Sequence, residues 1–222
     1  DLSAAAIGEV TDDGNFTIRK GQEVIATVPA GLLTDNAPVY EREWKEPAYF
    51  QAQKSVKHHE LLNYGDWTGL LKRLISSPNL CSKRWIYEQY DHMVGLNTVL
   101  RPGSDAAVLR LMDSNKGLAL STYCNSRYVY LDPWRGGAIA VAEAALNVAC
   151  TGAKPLAITN CLNFGNPEDP EIYWQFVKAT DGLAEAAARL DTPVTGGHVS
   201  FYNEYNRQAI LPTPTIRMVG LM

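Results

Sequence analysis

Gly136-Gly137-Ala138-Ile139-Ala140-Val141-Ala142-Glu143-Ala144-Ala145-Leu146-Asn147-Val148-Ala149-Cys150-Thr151 is the stretch on which the fold turns. It reads as a helix whose small side chains, Ala138, Ala140, Ala142, Ala144, Ala145 and Ala149, permit close approach to a sheet. Downstream, Leu156–Leu162 reads as a strand. Residues 170–190 then form the clearest helix, with Ile172, Phe176, Ala179, Leu183 and Leu190 on one apolar face. Strands come next around Val194, over Val199–Tyr202 and over Pro214–Leu221. Upstream, Ala106–Met112 and Gly117–Thr122 read as buried strands. Trp67, Leu70, Leu71, Leu74 and Ile75 are spaced as an amphipathic helix stopped by Pro78, and Ser82 is placed to cap another carrying Trp85, Ile86 and Tyr90. Helices alternating with strands give an α/β (α+β) class, with one sheet covered by helices. A doubly wound parallel sheet is the alternative.

Farther out the pattern changes. Residues 4–28 form a small β unit, with Phe16-Thr17-Ile18 and Val24–Val28 separated by turn residues at Asp12–Asn15 and Lys20-Gly21. Two or three short strands are marginal alone, so this unit needs something to pack on. Residues 34–66 lack a sustained period and read as an extended linker whose Trp44, Tyr49 and Phe50 dock onto the next domain. His58 and His59 lie in this linker and read as solvated. The first residue is Asp1 and the chain stops inside an apolar run, so a piece of a longer protein is expected.

Composition narrows the function classes. The chain has 222 residues, 46% hydrophobic and 20% charged, which suffices for a sizeable core. With 20 basic against 24 acidic residues, the net charge of −4 argues against non-specific nucleic-acid binding. No run approaches the roughly 18 apolar residues of a membrane span. Cys81, Cys124, Cys150 and Cys161 contain no C-x-x-C pair and read as reduced thiols.

Four segments can carry chemistry. Thr195-Gly196-Gly197-His198-Val199-Ser200 pairs adjacent glycines with a hydroxyl, which suits a phosphate, although it matches no P-loop and taken alone reads more readily as a tight turn. Thr159–Pro167 places Asn160, Asn163 and Asn166 at the C-terminal end of a strand, where α/β sheets collect ligands and where Asx-turns also form. Arg101–Ala107 offers the single carboxylate of Asp105 after a Pro-Gly turn. Tyr123–Tyr128 and Asp132–Gly137 bracket a helix start, where either an anion or an ordinary Asp132 cap is expected. His92 follows a helix end, where its ring can meet free carbonyls.

Several strings in order are more specific than any one of them: Asn79–Lys83, Tyr90-Asp91-His92, Asn97–Gly103, Arg127–Pro133, Arg135–Ala145, Cys161–Pro167 and Val199–Glu204. Together they resemble the synthetase subunit of phosphoribosylformylglycinamidine synthases, over essentially the whole chain. The resemblance implies that residues 1–35 are the tail of a first C-domain, that 36–65 are a linker, and that 66–222 are a second N-domain. That N-domain would be like that of aminoimidazole ribonucleotide synthetase: a mixed sheet with helices on one face, beside a small β appendage. It further implies a cytoplasmic ATP- and Mg²⁺-using carbon–nitrogen ligase acting on formylglycinamide ribonucleotide. The expected partners are a glutaminase subunit, a small accessory subunit and the pseudo-symmetric first half of the same chain. Residue by residue, Asn160 and Gly197 correspond to ATP contacts, Ser200 to a substrate contact and His198 to a metal position. Relatives carry Asn at the last of these, and imidazole suits hard Mg²⁺ poorly. Tyr123, Leu146 and Arg217 replace Asp, Arg and Gly of most relatives. The first half's catalytic histidine has no counterpart in 123–128, so the fragment alone should be inactive. An unpaired N-domain would expose an apolar sheet face, making a homodimer the expected state in isolation.

Overall fold

The structure is a computed structural model that describes residues 2–57 and 65–222; His58 and His59 lie outside the described residues. It divides into two compact units, Asp1–Glu41 and Arg42–Met222. In the first, β1 (Asn15–Lys20) and β2 (Glu23–Pro29) form an antiparallel hairpin with a bulge at Ile18/Arg19. Gly21 takes φ 62° in its turn, a conformation that glycine adopts without strain. Phe16, Ile18, Val24 and Ile25 all remain exposed.

The second unit begins with the stretch read as linker. Its aromatics dock as expected, but not from an extended chain. After the buried Pro47, residues Ala48–Lys54 form helix α1. Its Tyr49 ring stacks on Tyr130 with centroids 4.3 Å apart, and Phe50 tilts against Trp174 at 5.0 Å. Gln175 Nε2 donates to the Tyr49 hydroxyl at 3.0 Å, and burial pushes that phenol up to about 12. Lys178 lies over the Trp44 ring. Two short helices come next: α2 (Trp67–Ile75), capped by Asp66, and α3 (Arg84–Tyr87), where Ser82 Oγ accepts from Arg84 N. His92 Nε2 meets the Tyr87 carbonyl at 2.7 Å, as its place after a helix end suggested.

The remaining elements build one six-stranded sheet. They are β3 (Thr98–Leu100), β4 (Ala107–Arg110), β5 (Gly117–Tyr123), α4 (Ser126–Leu131), α5 (Pro133–Cys150), β6 (Lys154–Asn163), α6 (Pro170–Arg189) and β7 (Val194–Ser200). The hairpin β8 (Glu204–Tyr205) and β9 (Gln208–Ala209) precedes β10 (Thr213–Leu221). The strand order is β3-β4-β5-β10-β6-β7, antiparallel throughout except for the parallel β6–β7 pair. The mixed sheet is as expected, and the antiparallel pairs dispose of the doubly wound alternative.

Both long helices start where side chains dictate. Asp132 Oδ1 accepts from Arg135 N ahead of α5, Asp169 Oδ1 accepts from Glu171 N ahead of α6, and each first turn carries a proline. The capping reading of Asp132 therefore holds. Helix α5 buries Ala140, Val141, Ala144, Ala145 and Val148 between the sheet and α6. From the sheet, Ala119, Ile158, Ile216 and Met218 point into the same core, and Ser121 Oγ donates to the Ala144 carbonyl at 2.8 Å. The opposite sheet face, with Leu118, Leu120, Val219 and Leu221, stays partly exposed. The helices thus cover one face.

The Gly196-Gly197 segment is no turn. Both glycines keep extended backbone inside β7, pairing in parallel with Thr159 and Asn160 of β6. Thr195 Oγ1 donates to the Ile158 carbonyl where the register shifts, pinning this edge strand. The left-handed turn comes later, at Tyr202, where the sequence suggested strand.

Candidate functional site

Strand register decides which polar residues meet. Arg217 on β10 lies opposite Thr159 on β6, and Cys161 on β6 lies opposite His198 on β7. Alternation puts these four side chains on the face without helices. Asn160 and Gly197, which fall on the other face by the same alternation, complete the lining of a cavity of about 420 Å³. Asn160 leans onto Gly197: a Cβ built there would stand 2.1 Å from Asn160 Oδ1. The amide needs that space, so glycine at 197 is a packing requirement rather than a conformational one.

The three asparagines of the Thr159–Pro167 segment divide sharply. Asn163 Nδ2 donates to the Cys161 and Thr213 carbonyls, and Asn166 Oδ1 accepts from Glu168 N. Both serve the backbone. The Asn160 amide has no hydrogen-bond partner among the described residues, which leaves it available to a ligand.

Ser200 stands just beyond the cavity. Its hydroxyl lies 3.1 Å from Asn203 Nδ2, which also donates to the Phe164 and Ser200 carbonyls. Buried Phe164 packs edge-on against Phe176, which meets Phe201 in turn. This knot fixes the loops after β6 and β7. Tyr123 and Asp105 do not line the cavity. Arg217, noted in the sequence only as a departure, does.

The lining does not fit Mg²⁺. It offers an amide, a hydroxyl, a thiol, an imidazole and a guanidinium, with no carboxylate, whereas Mg²⁺ takes oxygen ligands and usually one or two carboxylates. Among the described residues no group of three or more His, Cys, Asp or Glu side chains could hold a metal. A second cavity of about 480 Å³ borders Arg84, Glu88, Asp91, His92 and Arg101. There Arg84 pairs with Glu88, so cation and anion neutralise each other. The cavity on β6, β7 and β10 is the better candidate, with uncommitted donors and no acid.

Residues 103–222 match the family described as AIR synthase related protein, N-terminal domain. The chain belongs to that family. Over 221 residues, all of its length, it is 55% identical to phosphoribosylformylglycinamidine synthase subunit PurL of Moorella thermoacetica, of which it spans 30%. Among solved structures, the PurLQS assembly of Thermotoga maritima matches 96% of the chain with a TM-score of 0.73 at 29% identity. PurL of the same organism complexed with ATP matches 96% with a TM-score of 0.70 at 30% identity. The chain spans about a third of each of those two proteins. The resemblance read from the ordered strings is thus shown, as is the fold of this AIR synthase related domain. No helix among the described residues is long and apolar enough to cross a membrane.

Proposed function

We propose that this chain is the nucleotide-holding part of a cytoplasmic ATP-dependent carbon–nitrogen ligase of purine biosynthesis. In full length the protein would convert formylglycinamide ribonucleotide, ATP and glutamine-derived ammonia to formylglycinamidine ribonucleotide. The observation that carries this reading is the 55% identity to a PurL subunit sustained along the whole chain. Likeness to the PurLQS assembly supports a glutaminase subunit and a small accessory subunit as partners.

In this reading Asn160 and Gly197 hold ATP and Ser200 contacts the substrate. The γ-phosphoryl group passes to the formamide oxygen, giving ADP. Ammonia then adds at the carbon, and phosphate leaves where oxide could not. Positioned donors stabilise the charge that develops on oxygen. Any magnesium accompanying ATP draws its protein carboxylates from outside this cavity. This half lacks the catalytic histidine of its counterpart, so turnover also needs the other half of the full-length chain. The partly exposed sheet face takes that pseudo-symmetric half, or a second copy when the chain is isolated.

The test is an assay of the full-length protein with formylglycinamide ribonucleotide, ATP and ammonia. ADP released only when that substrate is present is the expected result; no substrate-dependent ADP overturns the assignment. Residues 1–222 alone should show no turnover, and measurable turnover would overturn the division of labour between halves.

A further inference from the structure

We propose that the cavity on β6, β7 and β10 binds a phosphate chain directly on the Arg217 guanidinium, without a divalent cation. This rests on the nucleotide-site reading only for the choice of a phosphate chain as the oxyanion. Three observations carry the rest. First, the Arg217 guanidinium is exposed at the cavity and makes no hydrogen bond or ion pair with a described residue, so its five donors are uncommitted. Secondly, no acidic side chain lines the cavity to compete for it. Thirdly, the other side chains on that face include donors: the Thr159 hydroxyl and, in either neutral tautomer, one His198 nitrogen.

The spacing suits a chain of phosphates rather than a single ion. Arg217 and His198 flank β6 from either side and sit two residues apart in register. At ordinary strand spacing this separates their Cα atoms by roughly 12 Å. The cavity that both residues line lies between them over β6, which gives linked phosphates room. A guanidinium grips phosphate oxygens with paired hydrogen bonds, which a point cation does not. It also repels a divalent ion, so Arg217 takes the place a metal would occupy and excludes the metal from it.

The experiment uses the full-length protein and isothermal titration with tripolyphosphate and with ATP, each in EDTA and in excess Mg²⁺. Wild type should bind tripolyphosphate in EDTA. Arg217→Ser should weaken that binding at least tenfold and Arg217→Lys less, and a thermal melt of each variant checks that the fold is kept. Binding that appears only with Mg²⁺, or that Arg217→Ser leaves intact, overturns the proposal. Gly197→Val separates the two readings. If it abolishes ATP binding in Mg²⁺ while EDTA binding never existed, the nucleotide site stands and the metal-free proposal falls. If ATP fails to bind here while tripolyphosphate does so through Arg217, the nucleotide reading falls and the anion site stands. ATP binding in EDTA as tight as that of tripolyphosphate identifies a nucleotide as the source of the phosphates.

Discussion

A Cβ at position 197 would sit 2.1 Å from Asn160 Oδ1 and 3.2 Å from the Asn160 carbonyl oxygen. Valine is at home in an edge strand, and Gly197 already holds extended backbone. Gly197→Val should therefore leave the fold largely intact while driving the Asn160 amide off its perch. Nucleotide affinity should fall by more than tenfold with a melting temperature changed by only a few degrees. Calorimetric titration beside a thermal melt checks both, and a lowered melting temperature with unchanged affinity would remove Gly197 from the site. The sequence offered three asparagines near this strand and no way to choose among them. Choice needs the register: Asn163 and Asn166 reach backbone groups, one of them fifty residues away at Thr213. Arg217 was legible only as an oddity, because a strand residue that far along the chain meets Thr159 through pairing alone.

At the scale of elements, the closest contact lies between α5 and α6. A Cβ on Gly182 would stand 1.8 Å from the Trp134 carbonyl oxygen, and one on Gly137 would stand 2.2 Å from the Ala179 carbonyl oxygen. Both obstacles are backbone, so no rotamer can relieve them. Gly182→Ala should force the helices apart and destabilise the protein by about 1–3 kcal/mol, despite the better helix propensity of alanine. Urea unfolding of the two forms measures this; an alanine variant as stable as the parent would show that the helices separate freely. Helix α6 was legible from one apolar face at helical spacing, and α5 from its run of small residues; the Asp132 and Asp169 caps and the two prolines agree with both. Helix α1 was not, since seven residues give too little length for a period and its order comes from Tyr130, Trp174 and Gln175. Helix α4 is shorter still, and was hidden in a segment read only as a lead-in to α5. Strand β7 misled for another reason. Adjacent glycines are ordinary turn chemistry, and only the parallel neighbour β6 and the need to seat Asn160 explain them within a strand.

Across the whole sheet, burial is lopsided. One face carries fully buried Ala119, Ile216 and Met218 under α5, while the other presents Leu118, Leu120, Val219 and Leu221 with no helix above them. An antiparallel sheet whose second face is meant for water alternates apolar with polar residues. Here Leu118 and Leu120 on β5 instead meet Leu221 and Val219 on β10, forming a contiguous apolar block. Such a block drives association, and a second copy of the same face is self-complementary about a two-fold axis. The isolated chain should therefore run as a dimer in light scattering at tens of micromolar. Leu120→Glu places a carboxylate in the middle of that block. Because Leu120 is 38% exposed before any partner arrives, the charge remains solvated in the monomer. It would be stranded without a partner in the dimer, where burying an unpaired ion is prohibitive. The variant should be monomeric with an unchanged melting temperature extrapolated to low concentration. A wild-type chain that stays monomeric at hundreds of micromolar would refute pairing through this face. A Leu120→Glu dimer as tight as wild type would move the interface elsewhere.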